Sequence, residues 1–285
     1  MITYRIENCL GPHGKFVTAH LEKGFRKLRL RKKKLDPDFR FCVGHKGIDF
    51  QKPGKRNVLF LAEKLPTRQS TSSCEAKLNK LLEHLDHWTD IVTPQEGVRD
   101  LFEQRGIAFK GNVHCLNFVS VPKRWISKEP VADSIKCIFI GWLKERRRNI
   151  VKSLQARNVL VKTPHETMGK DGPWFDQWND VSADCGFSLN IHFDESKEIE
   201  FFRMIFGMAT NTVLLSEKIN EDAIKYGFAN GYNFVAVDSF DQVTEDFLKG
   251  INRKEIVKKA HDLLRQFYLP EIVAKEIMES LNETA

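Results

Sequence analysis

Short apolar runs alternate with amphipathic helix patterns along almost the whole chain, and this alternation constrains the fold more than any other feature. "MITYRIE" (1–7), "DFRFCVG" (38–44), "NVLFLAE" (57–63), "DIVTP" (90–94) and "LNFVSVP" (116–122) have the length and residue types of strands. Between them, "FVTAHLEKGFRKLRL" (16–30) sets Phe16, Ala19, Leu21, Phe25, Leu28 and Leu30 at roughly helical spacing. "SCEAKLNKLLEHL" (73–85) gathers leucines on one side, and "EGVRDLFEQRG" (96–106) closes on Gly106. Strand–helix–strand repetition implies a mostly parallel sheet with helices on both faces.

The pattern breaks at "VPKRWISKEPVADS" (121–134), whose two prolines and mixed polarity suit a linker. A second series follows: strand "IKCIFIGWL", helix "RRRNIVKSLQARN", strand "VLVKTP", a Gly-rich loop with Gly169, Gly172 and Pro173, and strand "GFSLNIHF". Helix 198–209, strand "TVLLSE", helix "NEDAIKYGFANG", strand "NFVAVD" and helix "FDQVTEDFLKGI" complete it, before a helical tail broken or kinked at Pro270. The expected fold class is α/β, with two Rossmann-like doubly wound domains facing each other across a cleft. The domains are expected at 1–125 and 126–285, with the last helix free to pack back on the first. Ligands of such sheets lie beyond the carboxyl ends of the strands.

Composition narrows the function classes. At 285 residues, 41% hydrophobic and 29% charged, the chain can bury a sizeable core. No stretch approaches the roughly 20 apolar residues of a membrane span, and "MITYRIENCLGPHGKF" lacks a secretory pattern. The six cysteines are scattered singly, which suits reduced core thiols of a cytoplasmic protein and gives no zinc signature. The net charge of +7 is uneven. "KGFRKLRLRKKK" (23–34) carries Arg26, Lys27, Arg29, Arg31, Lys32, Lys33 and Lys34 with no acid, and "KERRR" (144–148) is a second cluster. Such runs are either solvated faces or contacts to a polyanion, nucleic acid or an anionic membrane surface.

The second half resembles the GT-B glycosyltransferases, in particular CgeB-like and group 1 families. "CIFIGWLKERRRNIVKSLQARNVLVK" is similar to the family's strand, Gly-containing loop, basic helix start and next strand. "GFSLNIHFDESKEIEFFRMIFGMATNTVLLSEKINEDAIKYGFANGYNFVAVDSFDQVTEDF" is similar to its donor-binding core, so the likeness spans roughly 135–250. The first half matches only in its βα rhythm. The resemblance implies transfer of a sugar from a nucleotide-sugar donor, most readily a UDP-sugar, with no metal or further cofactor required.

That chemistry has a physical counterpart in the residues. A donor diphosphate suits helix N-termini and guanidinium groups, which also stabilise it as a leaving group. Arg146, Arg147 and Arg148 open one helix after Gly141, whose missing side chain permits close approach; the alternative is a solvated helix start. Arg203 interrupts the apolar run "EFFRMIFGM", either as a phosphate ligand or as a snorkelling side chain. His192 ends the strand expected to line the donor cleft. The family carries two glutamates separated by seven residues. Glu198 fits the first, the second falls on Phe206, and Glu217 or Asp194 are the candidate replacements for holding the ribose. His13, in "CLGPHGKF", is the candidate general base, and catalysis is assigned to His13, Glu198 and Arg203. Asp36-Pro37-Asp38 has metal-motif spacing but suits a turn, and "TPHETMGKDGPW" (163–174) is a candidate nucleobase loop.

The favoured acceptor is a modified base in DNA, held by the basic run 23–34, with the base flipped from the stack. The alternatives are an enzyme of envelope polysaccharide or glycolipid synthesis, with peripheral membrane contact, and a non-catalytic nucleotide- or DNA-binding protein.

Overall fold

The computed structural model describes residues 2–8, 12–33, 37–44, 55–62, 65–66, 72–127, 131–164, 177–192, 199–219 and 221–283. The chain divides into two compact units, one of residues 1–120 with 270–285 and the other of residues 121–269.

The first unit holds a six-stranded sheet: β1 (Thr3–Asn8), β2 (Arg31–Lys32), β3 (Phe39–Val43), β4 (Arg56–Phe60), β5 (Asp90–Thr93) and β6 (Asn112–Cys115). Its order is β2-β1-β3-β4-β5-β6 and every pair is parallel. Parallel neighbours cannot be joined by tight hairpins, so helices α1 (Pro12–Lys27), α2 (Ser72–Leu82) and α3 (Val98–Gln104) carry crossovers. β3 is buried along its whole length. One face stacks Tyr4, Phe25, Phe41, Phe60 and Phe118 in succession, with ring centroids 4.7–5.6 Å apart. The other packs Leu59, Leu78, Leu81, Ile91, Leu101 and Phe102.

The basic run is not one helix. α1 ends at Lys27, Arg29 takes φ 61°, and the chain turns into β2 at the sheet edge. Arg31 pairs with Thr3, and Lys32 with Tyr4. Basic side chains on a two-residue edge strand also discourage pairing with another sheet. Asp38 accepts hydrogen bonds from the Thr3 amide (2.9 Å) and hydroxyl (2.8 Å) and from Lys55 (2.9 Å), so it pins a turn, while Asp36 lies outside the described residues. The sequence "LNFVSVP" forms no strand: β6 ends at Cys115 and the buried segment that follows is irregular.

The last helix completes this first unit. After α8 (Arg253–Phe267), Pro270 starts a new helix, here α9 (Pro270–Glu283), which lies against α1. Gly24 permits the approach: a Cβ there would meet Pro270 O at 2.2 Å and Ala274 Cβ at 2.6 Å. Lys27 pairs with Glu271 at 2.5 Å. Asp90, fully buried, ties α9 to the sheet by polar bonds. It accepts from Arg56 Nε (3.0 Å) and Nη2 (2.5 Å), Thr89 Oγ1 (2.8 Å), Asn112 Nδ2 (3.3 Å) and His114 Nε2 (3.0 Å). Arg56 Nη1 then donates to Leu281 O (2.6 Å), and His114 Nδ1 lies 2.8 Å from Ser280 Oγ.

The second unit holds β7 (Cys137–Ile138), β8 (Val161–Lys162), β9 (Phe187–Asn190), β10 (Val213–Glu217) and β11 (Val235–Val237) in the parallel order β11-β10-β9-β7-β8. α4 (Glu145–Ala156), α5 (Trp178–Ser182), α6 (Phe201–Ala209) and α7 (Glu245–Lys249) flank it together with α8. "NEDAIKYGFANG" shortens to a 3₁₀ segment, Glu221–Tyr226, and the helix expected from 198 begins at Phe201. Strand order reverses between β7 and β9, which places the switch point of this sheet beyond Ile138 and Asn190.

Burial raises the Asp90 pKa, but hydrogen bonds from His114, Arg56 and Thr89 and the Arg56 charge outweigh it and bring the group down to about 2. A carboxyl lowered from 3.8 contributes stability above that value and loses it as the pH falls toward 2, roughly 2 kcal/mol in all. Urea unfolding should therefore show Asp90→Asn less stable than wild type at pH 6, with the gap narrowing by about 1 kcal/mol at pH 3. An equal gap at both pH values would contradict the assignment.

Candidate functional site

The site residues of the second unit converge on the ends of β7 and β9. Phe139 and Ile140 continue β7 as buried backbone and lead into Gly141, whose φ is +150°. That positive φ favours glycine, and a Cβ there would lie 2.8 Å from Arg203 Nη1 and 3.1 Å from Nη2, so a larger residue would displace the guanidinium. Arg203 Nη1 donates to Ile140 O and Nε donates to Glu200 at 3.0 Å. Its side chain is 16% exposed, and its guanidinium carbon lies 5.2 Å from the Phe139 ring centre. The run "EFFRMIFGM" thus buries Met204, Ile205, Phe206 and Met208 while Arg203 extends under the Gly141 loop.

Arg147 reaches the same place from α4. Only 5% exposed, it donates through Nε to Ile191 O (2.9 Å) and through Nη2 to both Glu200 oxygens (3.2 Å each). Its guanidinium carbon lies 5.7 Å from the Phe139 ring, so that ring contacts two cations. Burial, then the nearby Arg203 charge, lowers the Arg147 pKa to about 10, which leaves it charged at neutral pH. Glu200, the residue preceding α6, bridges Arg147 and Arg203. Starting the family's glutamate pair at Glu200 puts Met208 at the second position, so that pattern does not single Glu200 out; its i,i+3 spacing to Arg203 does.

Arg146 donates to His192 O (2.9 Å) and forks onto Glu217 at the end of β10. Glu217 also accepts from the His192 amide at 2.6 Å. His192 therefore enters through its backbone, and the residue is only 2% exposed. Arg148 is exposed on α4. Among the described residues the cluster holds three guanidinium groups, from Arg146, Arg147 and Arg203, and two carboxylates, from Glu200 and Glu217. Guanidinium groups beside a glycine loop at a switch point can hold an anion such as a phosphate.

Phe206 has a structural explanation. It is 3% exposed, and its ring lies 5.8 Å from Trp125 and 6.1 Å from Trp178. A glutamate there would be buried in an aromatic cluster, whereas Glu217 supplies a carboxylate at the strand ends.

Glu198 and Asp194 lie outside the described residues, as does nearly all of the loop 163–174. His13 falls in the first turn of α1 rather than in a loop, and its side chain is not among those described. Lys27 pairs with Glu271, and Arg26 (3.4 Å) and Lys32 (2.5 Å) with Glu22, while Arg29 and Arg31 are exposed and Lys34 is outside the described residues. Among the described residues no group of three or more His, Cys, Asp or Glu side chains is placed to hold a metal ion, and no helix is long and apolar enough to cross a membrane.

No protein-family model and no curated protein matches the sequence. Solved structures do match the fold. A T4 phage BGT mutant in complex with UDP-glucose superposes with a TM-score of 0.60 at 12% identity, covering 99% of each chain. Anabaena HepE in complex with UDP-glucose gives 0.61 at 9% identity, again over 99% of each chain. A glycosyltransferase from Rickettsia africae gives 0.59 at 10% identity over 99% of this chain and 98% of that one. The chain therefore has the GT-B fold, two Rossmann-like α/β units, in common with these glycosyltransferases.

Proposed function

We propose that the protein is a glycosyltransferase that takes a sugar from a nucleotide-sugar donor, a UDP-sugar by preference. The observation that carries this reading is the cation cluster at the β7/β9 switch point, where Arg203 and Arg146 stand beside the Gly141 loop. Two similar structures contain UDP-glucose. In this reading the donor diphosphate meets the guanidinium groups of Arg146 and Arg203. Glu200 and Arg147 hold Arg203 in place, and Glu217 takes the ribose hydroxyls that no group at position 206 can take.

Charge develops on the diphosphate as the glycosidic bond breaks, and pre-positioned guanidinium groups stabilise it without reorganising. These cations take the role a metal ion has elsewhere, so transfer proceeds without one. Glu198 and His13 remain the candidates for sugar contact and general base, and Arg148 for an outer phosphate contact. Cys115, Cys137 and Cys185 are free thiols, which suits the cytoplasm.

For the acceptor we favour a modified base in DNA. Support comes from the exposed cations Arg26, Lys27, Arg29, Arg31, Lys32 and Lys33 at the α1–β2 edge. Each phosphate contact there would add salt dependence to binding.

UDP-glucose turnover is the direct test. Wild type should release UDP, and Arg203→Ala should lower the rate by about 10²-fold or more while leaving the thermal midpoint within a few degrees. Unchanged turnover in that variant would remove Arg203 from the chemistry. No binding of any UDP- or GDP-sugar would leave the non-catalytic alternative standing.

The acceptor is tested separately. Wild type incubated with donor and hydroxymethylated DNA should add the mass of the sugar to the DNA. The double variant Arg31→Ser/Lys32→Ser should lower the slope of log affinity against log salt by about 2. An unaltered slope would place the DNA elsewhere, and no mass gain with any donor would favour a glycan or lipid acceptor.

A further inference from the structure

Two guanidinium groups of the cluster meet on one aromatic ring. Phe139 directly follows β7, is fully buried, and packs in the apolar core of the second unit with Val151, Leu154, Phe187 and Leu189. Yet the guanidinium carbon of Arg203 lies over its ring at 5.2 Å from the centre, and that of Arg147 at 5.7 Å. An aliphatic side chain would supply apolar contact there but no quadrupole. The negative face of an aromatic ring attracts a cation, and more strongly where water is excluded.

Arg203 is otherwise held at two of its three nitrogens. Nε donates to Glu200 and Nη1 to Ile140 O, while among the described residues Nη2 donates to no acceptor. Two anchor points define a line, about which the guanidinium plane is still free to tilt. Contact with the Phe139 ring opposes that tilt and so fixes where Nη2 points. Nη2 borders the glycine loop, since a Cβ at Gly141 would come within 3.1 Å of it. The same ring also steadies Arg147, whose Nη2 grips both oxygens of Glu200, the carboxylate that holds Arg203 Nε.

We propose that Phe139 is a positioning residue for phosphate binding: its ring quadrupole keeps Arg203 Nη2 turned toward the donor diphosphate. This rests on the nucleotide-sugar function proposed for the site.

The test changes the quadrupole and spares the shape. Site-specific replacement of Phe139 by mono-, di- and trifluorinated phenylalanine weakens the negative ring face in steps at nearly constant volume. Calorimetric affinity for UDP should fall with each step, reaching about 10-fold at the trifluorinated ring, with UDP-glucose turnover falling alongside. The thermal midpoint should stay within about 2 degrees of wild type. Phe139→Leu should lose at least as much UDP affinity as the trifluorinated ring. The same series at Phe118, a buried ring of the first unit, should leave UDP affinity unchanged. Equal UDP affinity across the Phe139 series, or a thermal midpoint that falls in step with affinity, would make Phe139 a core residue only and leave the donor function in place. A wild type that binds no UDP would overturn both.

Discussion

In both sheets every described pair of strands is parallel, and the rest of the structure follows from that constraint. A parallel pair needs a crossover, so each strand must deliver its chain to a helix, and all carboxyl ends collect on one edge. Where the order reverses, between β7 and β9, adjacent loops part and leave room at that edge. The second unit fills that room with three guanidinium groups and two carboxylates rather than with apolar side chains. Among the described residues, Glu200 and Glu217 divide these three cations. Each carboxylate accepts from more than one donor, and strand-end carbonyls of Ile140, Ile191 and His192 take further N–H groups.

The arginines therefore do different work. Arg147 is buried and held by Ile191 O and Glu200, and its place is to fix Glu200. Arg203 and Arg146 lie nearer the surface, 16% and 31% exposed, and face the glycine loop and β10 respectively. A ligand that brings negative charge would find guanidinium groups already oriented, which is the condition for electrostatic stabilisation without reorganisation.

How much of this the sequence disclosed depends on the range over which each signal acts. The strand–helix rhythm is local, so the two α/β units and the Gly141, Arg146 and Arg203 positions were legible. Strand lengths were not: within "IKCIFIGWL" the run Cys137 to Ile140 is buried and apolar, yet only Cys137 and Ile138 pair. Burial and pairing leave the same apolar mark. The basic run misled in the opposite sense. Leu28 and Leu30 continued the helical spacing, but the left-handed Arg29 turned the chain into an edge strand. Glu200 lies three residues before Arg203, but other partners were out of reach, since Arg146 and Glu217 are 71 residues apart. Phe206 looked like a missing ribose contact because its neighbours Trp125 and Trp178 are remote in sequence.

A crystal structure with UDP bound tests the central claim most directly. The diphosphate is predicted over Gly141, with its oxygens within hydrogen-bond distance of Arg203 and Arg146 and the ribose near Glu217. UDP bound away from the β7/β9 ends, or a site that stays unchanged at millimolar UDP, would contradict the account.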